Sequence, residues 1–216
     1  MIKISASTHP AKEQFLPYVL SLDELGIDMI HCDVMDGKFV KNIAFSVDNV
    51  KQINDKSTTI LDVHLMVKNP GREIKKYKKA GADIITVHYE AFSNLNKLIK
   101  TLKKIKKLGV MVGLSIQPNT ELEALVSLLP YLDLVLIMSV QAGKSGQEFI
   151  KESLKKIKAL KEIIKNSGFN ILIEVDGGVN LQNKTSIIES GADILVIGSA
   201  LYNESDKKEF IKKIKE

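Results

Sequence analysis

Short apolar runs and longer amphipathic stretches alternate along the whole chain. Eight runs read as strands: residues 3–6, 29–34, 59–66, 84–88, 111–116, 134–139, 171–175 and 194–197. They are short and rich in branched side chains, the pattern of parallel strands buried on both faces. The segments between them carry helical spacing. Leu95, Leu98, Ile99, Leu102 and Ile105 form one apolar stripe, and Leu154, Ile157, Leu160, Ile163 and Ile164 form another. A glycine marks the return from helix to strand in Leu25-Gly26-Ile27-Asp28, Ala80-Gly81-Ala82-Asp83 and Ser190-Gly191-Ala192-Asp193, and Gly109 and Gly168 sit similarly. Glycine suits the left-handed residue that closes a helix.

Strand then helix, eight times, predicts a closed (β/α)8 TIM barrel spanning residues 1–216 as a single domain, near the compact end of that fold's range. An open doubly wound sheet is the other arrangement of such units. It needs a glycine-rich phosphate turn after its first strand, and the chain has Ser5-Ala6-Ser7-Thr8-His9-Pro10 there.

Composition narrows the partners. The formal charge is +5, but Arg72 is the only arginine, and lysines such as Lys97, Lys100, Lys103 and Lys104 fall on helical faces. Nucleic-acid readers rely on arginine for bidentate contacts, so no nucleic-acid partner is expected. A mild positive field favours a small anionic substrate. Cys32 is the only cysteine, which fits a reducing compartment. The run Met1–Ala6 is too short for a secretory signal, and no run approaches a membrane span. A cytoplasmic protein without a membrane partner is expected.

In a barrel, chemistry belongs at the carboxyl ends of the strands. All four histidines, His9, His31, His64 and His88, fall at or just after such an end. Side chains alternate faces along a strand, so His31 and Asp33 share one face while Cys32 and Val34 share the other. Closure would bring His31, Asp33, His64 and Asp176 around one axis. Two imidazoles and two carboxylates suit one divalent ion per subunit: Zn²⁺ first, with Fe²⁺, Mn²⁺ or Co²⁺ as alternatives. Gly177 and Gly178 follow the seventh strand, and Gly198 and Ser199 the eighth, where backbone N–H groups of this fold frequently bind phosphate. Gly143-Lys144-Ser145-Gly146 reads as a flexible lid.

The stretches His31-Cys32-Asp33-Val34-Met35-Asp36-Gly37-Lys38-Phe39-Val40, Asp62-Val63-His64-Leu65-Met66-Val67, Ala80-Gly81-Ala82-Asp83-Ile84-Ile85-Thr86-Val87-His88, Val175-Asp176-Gly177-Gly178-Val179 and Ile197-Gly198-Ser199-Ala200 resemble the ribulose-phosphate 3-epimerase family over nearly the whole chain. The resemblance implies a ribulose-phosphate-binding barrel with a metal on His31, Asp33, His64 and Asp176. It implies Asp33 and Asp176 as the acid–base pair, Ser7, His64 and Asp176 against substrate, and phosphate on Gly177, Gly178, Gly198 and Ser199. Met35, Met66 and Met138 would form an apolar collar, with core packing as the competing reading. The implied reaction inverts C3 of a ketose phosphate, D-ribulose 5-phosphate to D-xylulose 5-phosphate of the pentose phosphate pathway, in a homo-oligomer, dimer or hexamer.

The covering loops depart from the family, whose loop after the first strand usually runs Ser-x-Leu-Ser-Ala-Asp where this chain has Ser7-Thr8-His9-Pro10-Ala11-Lys12. Its lid is usually Asn-Pro-Gly-Phe-Gly-Gly-Gln, where this chain has Gln141-Ala142-Gly143-Lys144-Ser145-Gly146-Gln147. Its Phe-Val-Pro-Asn has become Phe39-Val40-Lys41-Asn42. A hexulose 6-phosphate such as D-allulose 6-phosphate is therefore the alternative substrate. A metal-free phosphate-binding barrel enzyme is the alternative class, though it would normally want a catalytic lysine at a strand end.

Overall fold

The computed structural model describes residues 2–216. Among the described residues nine strands form one sheet: β1 (Lys3–Ser7), β2 (Met29–Asp36), β3 (Ile43–Ala44), β4 (Ile60–Met66), β5 (Ile84–His88), β6 (Met111–Ile116), β7 (Leu134–Met138), β8 (Leu172–Asp176) and β9 (Ile194–Ile197). Eight of them are parallel, and β1 pairs with both β2 and β9, which closes the TIM barrel. β3 is the exception. It folds back antiparallel on the end of β2, with Met35 beside Ala44 and Asp36 beside Ile43, a hairpin too short to stand out in the hydrophobic pattern.

The helices α1 (Phe15–Asp23), α2 (Val47–Asn54), α3 (Pro70–Lys79), α4 (Leu95–Lys107), α5 (Glu123–Val126), α6 (Ser153–Ser167), α7 (Lys184–Glu189), α8 (Ser199–Tyr202) and α9 (Lys207–Lys215) lie between or after the strands. The helix-closing glycines Gly26, Gly81, Gly109, Gly168 and Gly191 all have positive φ. Among the described residues no helix is long and apolar enough to cross a membrane.

The core has two parts. The larger lies between strands and helices and includes Cys32, Val34, Leu98, Leu102 and Ile157. Truncating one such side chain, as in Leu102→Ala, costs about 2–5 kcal/mol through lost transfer energy and the cavity left behind. The smaller lies inside the barrel and includes Met29, Ile84, Leu134, Leu136, Met138 and Ile194. The barrel interior is not wholly apolar. Ser5, Asp62, Thr86, Ser115 and Glu174 are fully buried.

Two expectations shift. Leu95 is 45% exposed, because it stands in the first turn of α4, ahead of the buried face formed by Leu98, Thr101, Leu102 and Ile105. β8 runs one residue further than its apolar run, because Asp176 still pairs with Met138 and Val196. Asp176 thus sits on the rigid end of a strand.

Candidate active site

Sheet register assembles the cluster. β2 and β4 lie side by side with Cys32 opposite Val63 and Asp33 opposite His64, so His31, Asp33 and His64 converge on the inner face. Asp176 arrives from β8, across the barrel mouth. One ligand atom from each of His31, Asp33, His64 and Asp176 can be chosen so that all lie within 4.8 Å of one another. A one-residue slip of β4 against β2 would turn His64 into the outer core.

Each ring nitrogen has a definable job. His31 Nδ1 lies 2.6 Å from Asp62 Oδ2, and a carboxylate only accepts, so that nitrogen carries the proton. His31 Nε2 is then left buried with no hydrogen-bond partner, 3.3 Å from Asp33 Oδ1. The same Asp33 oxygen lies 3.2 Å from His64 Nδ1. Ser7 Oγ donates to the other Asp33 oxygen at 2.9 Å. An orphaned imidazole nitrogen and a second imidazole aimed at one carboxylate, with Asp176 alongside, make a donor set that fits a divalent cation.

The buried charges shift one another strongly. Burial works to lower the His31 pKa, yet the carboxylates of Asp62 and Asp33 hold it well above its ordinary value. Burial works to raise the Asp33 pKa, yet His31 and His64 hold it well below the carboxylate range. Asp176 is pushed up to about 7 by burial and by the charge of Asp33. Two neighbouring carboxylates with opposite shifts are suited to opposite proton-transfer roles.

Polar residues to which sequence reasoning gave no role in the site lie beneath and behind the cluster. Asp62 accepts from Ser5 Oγ at 2.9 Å as well as from His31. Glu174 sits nearby, and burial and the charge of Asp62 raise its pKa well above the usual range. His64 Nε2 lies 2.8 Å from His88 Nε2, and His88 Nδ1 lies 3.1 Å from Glu90 Oε2. The missing signal was present in the chain. Asp62 precedes His64 by two residues, and Glu174 precedes Asp176 by two. The alternation that pairs His31 with Asp33 puts these acids on the inner face, one pleat down.

Above the cluster opens a cavity of about 800 Å³. Asp33, Asp176, Ser7 and the methionines Met35, Met66 and Met138 line it. So do Gly177, Gly178, Gly198 and Ser199, together with Gly143, Lys144, Ser145 and Gly146 on the rim. His31 and His64 do not line it but stand fully buried behind Asp33. Gly178 has φ +67°, and a Cβ there would meet the Phe149 backbone nitrogen at 2.5 Å. Ser139 Oγ donates to the carbonyls of Asp176 and Gly177, and the side-chain amides of Asn180 and Asn183 donate to that of Gly178. The glycine turn is thus held from its carbonyl side. Gly198 is roomier, since a Cβ there would come no nearer than 3.4 Å to its closest neighbour, the Pro10 ring.

Comparison with known proteins gives a consistent match. The family model for the ribulose-phosphate 3 epimerase family matches residues 3–202. The ribulose-phosphate 3-epimerase of Bacillus subtilis (strain 168) is 42% identical over 217 residues, covering 100% of this chain and 99% of that protein. The chloroplastic ribulose-5-phosphate-3-epimerase of Arabidopsis thaliana is 44% identical over 200 residues, covering 91% of this chain and 70% of that one. Among solved structures, 3-hexulose-6-phosphate synthase from Salmonella typhimurium superposes with a TM-score of 0.72 at 20% identity, covering 99% of this chain and 96% of that one. At that identity the likeness speaks for the barrel alone.

Proposed function

This chain belongs to the ribulose-phosphate 3-epimerase family, and from that premise we propose that it interconverts D-ribulose 5-phosphate and D-xylulose 5-phosphate by a two-aspartate mechanism. The observation that carries this reading is the pair Asp33 and Asp176, on β2 and at the end of β8, which line one cavity and come within 4.8 Å of each other. The C3 hydrogen lies next to the C2 carbonyl and is acidified by it. One aspartate takes that proton from one face of the carbon. The other returns a proton to the opposite face, which inverts C3. Two groups are needed because a single base returns the proton to the face it left. Each positioned acid or base typically contributes about 10²–10⁴-fold.

His31, Asp33, His64 and Asp176 would hold one divalent ion per subunit, with zinc the first candidate for two imidazoles and two carboxylates. When bound, such an ion supplies Lewis-acid stabilisation of the negative charge that develops beside the reacting carbon, worth several kcal/mol. Met35, Met66 and Met138, all nearly fully buried, would exclude water from that charge. Ser7 orients Asp33 through its hydroxyl. Gly177, Gly178, Gly198 and Ser199 would receive the phosphate, and residues 143–146 would close over the sugar. A homo-oligomer, dimer or hexamer, in the cytoplasm accompanies this reading, and light scattering on the purified protein tests the assembly.

The deciding experiment is a coupled epimerase assay that offers pentulose and hexulose phosphates side by side, with metal content measured on the same preparation. Turnover of ribulose 5-phosphate well above that of allulose 6-phosphate is expected. The reverse preference would move the substrate to the hexulose, and turnover of neither would remove the proposal.

A further inference from the structure

Behind the cluster runs a chain of four groups: Asp33, His64, His88 and Glu90. Its contacts measure 3.2 Å from Asp33 Oδ1 to His64 Nδ1, 2.8 Å from His64 Nε2 to His88 Nε2, and 3.1 Å from His88 Nδ1 to Glu90 Oε2. Carboxylates stand at both ends and only accept, while a neutral imidazole carries one N–H. The two rings therefore bring two protons to three contacts. A proton is required in the middle contact, since two bare lone pairs at 2.8 Å would repel. Only two arrangements remain. In one, His88 donates to Glu90 and His64 donates to His88, leaving His64 Nδ1 bare toward Asp33. In the other every bond reverses, and His88 Nδ1 faces Glu90 bare.

The two ends are not equivalent. Asp33 has Ser7 Oγ at 2.9 Å and His31 Nε2 at 3.3 Å as further neighbours. Glu90 is anchored through Oε1 by the Gln117 N–H at 2.8 Å and by the Thr120 hydroxyl, which leaves Oε2 for His88. Both rings are fully buried, so bulk solvent offers no substitute partner. Phe39 packs on the His88 ring, with centroids 4.9 Å apart, and restrains its orientation.

We propose that Glu90, acting through His88, sets the tautomer of His64, placing its proton on Nε2 and turning the lone pair of Nδ1 toward Asp33 and Asp176, where a divalent cation would accept it. This inference rests on the metal reading above. His88 and Glu90 are positioning residues and touch no substrate.

The test uses the zinc-loaded full chain labelled with ¹⁵N, in which long-range ¹H–¹⁵N spectra report which nitrogen of each histidine carries the proton. His88 should be protonated on Nδ1 and His64 on Nε2. Glu90→Gln changes almost no volume. Its amide oxygen should face the Gln117 and Thr120 donors, which turns its NH₂ toward His88 Nδ1 and reverses the chain. Without zinc, His64 Nδ1 in the variant would then carry a proton that the metal must displace, and the zinc Kd from chelator competition should rise about 10–100-fold, the usual loss for an outer-shell partner. An unmoved Kd, or an unreversed His88 in the folded variant stripped of zinc, would overturn the relay and leave the metal site standing. His88 protonated on Nε2 in the wild type would overturn it without any variant. A wild-type chain that takes up no divalent ion would remove the metal reading and this inference together.

Discussion

The floor of the cavity and its cover are held in place by different means. On the floor, His31, Asp33, His64 and Asp176 project from strand ends whose mutual positions follow from ladder register. Each of the two histidines is fully buried and has a neighbouring side chain at one or both ring nitrogens. The cover is residues 141–147, where Gly143 and Gly146 take positive φ and Lys144, Ser145 and Gly146 are exposed. It is tied down by few polar contacts. Asn42 Nδ2 donates to the Gly143 carbonyl at 2.7 Å, and Gln147 Nε2 donates to the carbonyls of Gln141 and Lys144. The Ala142 N–H also donates to Gln117 Oε1 at 3.2 Å, so moving a floor residue means breaking a sheet, whereas moving the cover means breaking a few hydrogen bonds. The motifs that carry the family resemblance lie in the floor, and the departures lie in the cover, in the Phe39–Asn42 stretch that meets it and in the loop after β1. On the proposed function, reaction type rests on the floor and substrate fit on the cover, and substitutions in one should leave the other unchanged.

The largest effect should come from emptying the floor. Exhaustive chelation should abolish turnover, and Zn²⁺, Mn²⁺ or Fe²⁺ should restore some of it. Full turnover in protein shown by elemental analysis to carry no metal would strip the floor of its proposed role.

Next in size are the two carboxylates. Asp33→Asn and Asp176→Asn should each lower kcat at least about 10²-fold, the lower end for loss of one acid–base group. In deuterated water each variant should still exchange the C3 hydrogen of one epimer, and the two should differ in which. One variant silent toward both epimers beside another that is nearly normal, with metal bound in both, would point to a single base.

A smaller effect belongs to the glycine turn between floor and cover. Gly178→Ala forces a Cβ against the Phe149 backbone in left-handed φ, at a cost of about 1–2 kcal/mol for the conformation alone. It should raise KM for the phosphorylated substrate and lower Tm, while zinc affinity stays at the wild-type value. A parallel fall in zinc affinity would show that floor and turn are not separable.

The smallest change should follow Asn42→Ala, which frees the lid from the loop after β2. One net hydrogen bond contributes about 0.5–1.5 kcal/mol, so KM should rise roughly 2–10-fold with kcat little changed. A loss confined to kcat would place Asn42 in the chemistry.

Much of the floor was legible in the chain, because side-chain alternation is a property of the extended backbone itself. His31 and Asp33 had to share a face of β2, and Cys32 had to join the outer core, as it does. The same rule, carried through β4 and β8, would have exposed Asp62 beneath His64 and Glu174 beneath Asp176. Glu90 was less accessible. It lies past the end of β5, in a short turn where no periodicity governs direction, and its partners Gln117 and Thr120 come from the loop after β6. The β3 hairpin was hidden for a related reason, since two residues carry no measurable period.

By itself, then, the sequence determined the order of eight strand–helix units, which face each strand residue takes, and the placement of the histidines at strand ends. Those follow from backbone geometry and burial within a few residues. Tertiary structure alone decided which ring nitrogens meet which carboxylates, that His88 and Glu90 stand behind His64, and that Asp33 and Asp176 shift in opposite directions. These depend on which strands become neighbours and on charges brought together from distant parts of the chain. Electrostatic energy falls with distance in space and takes no account of separation along the sequence.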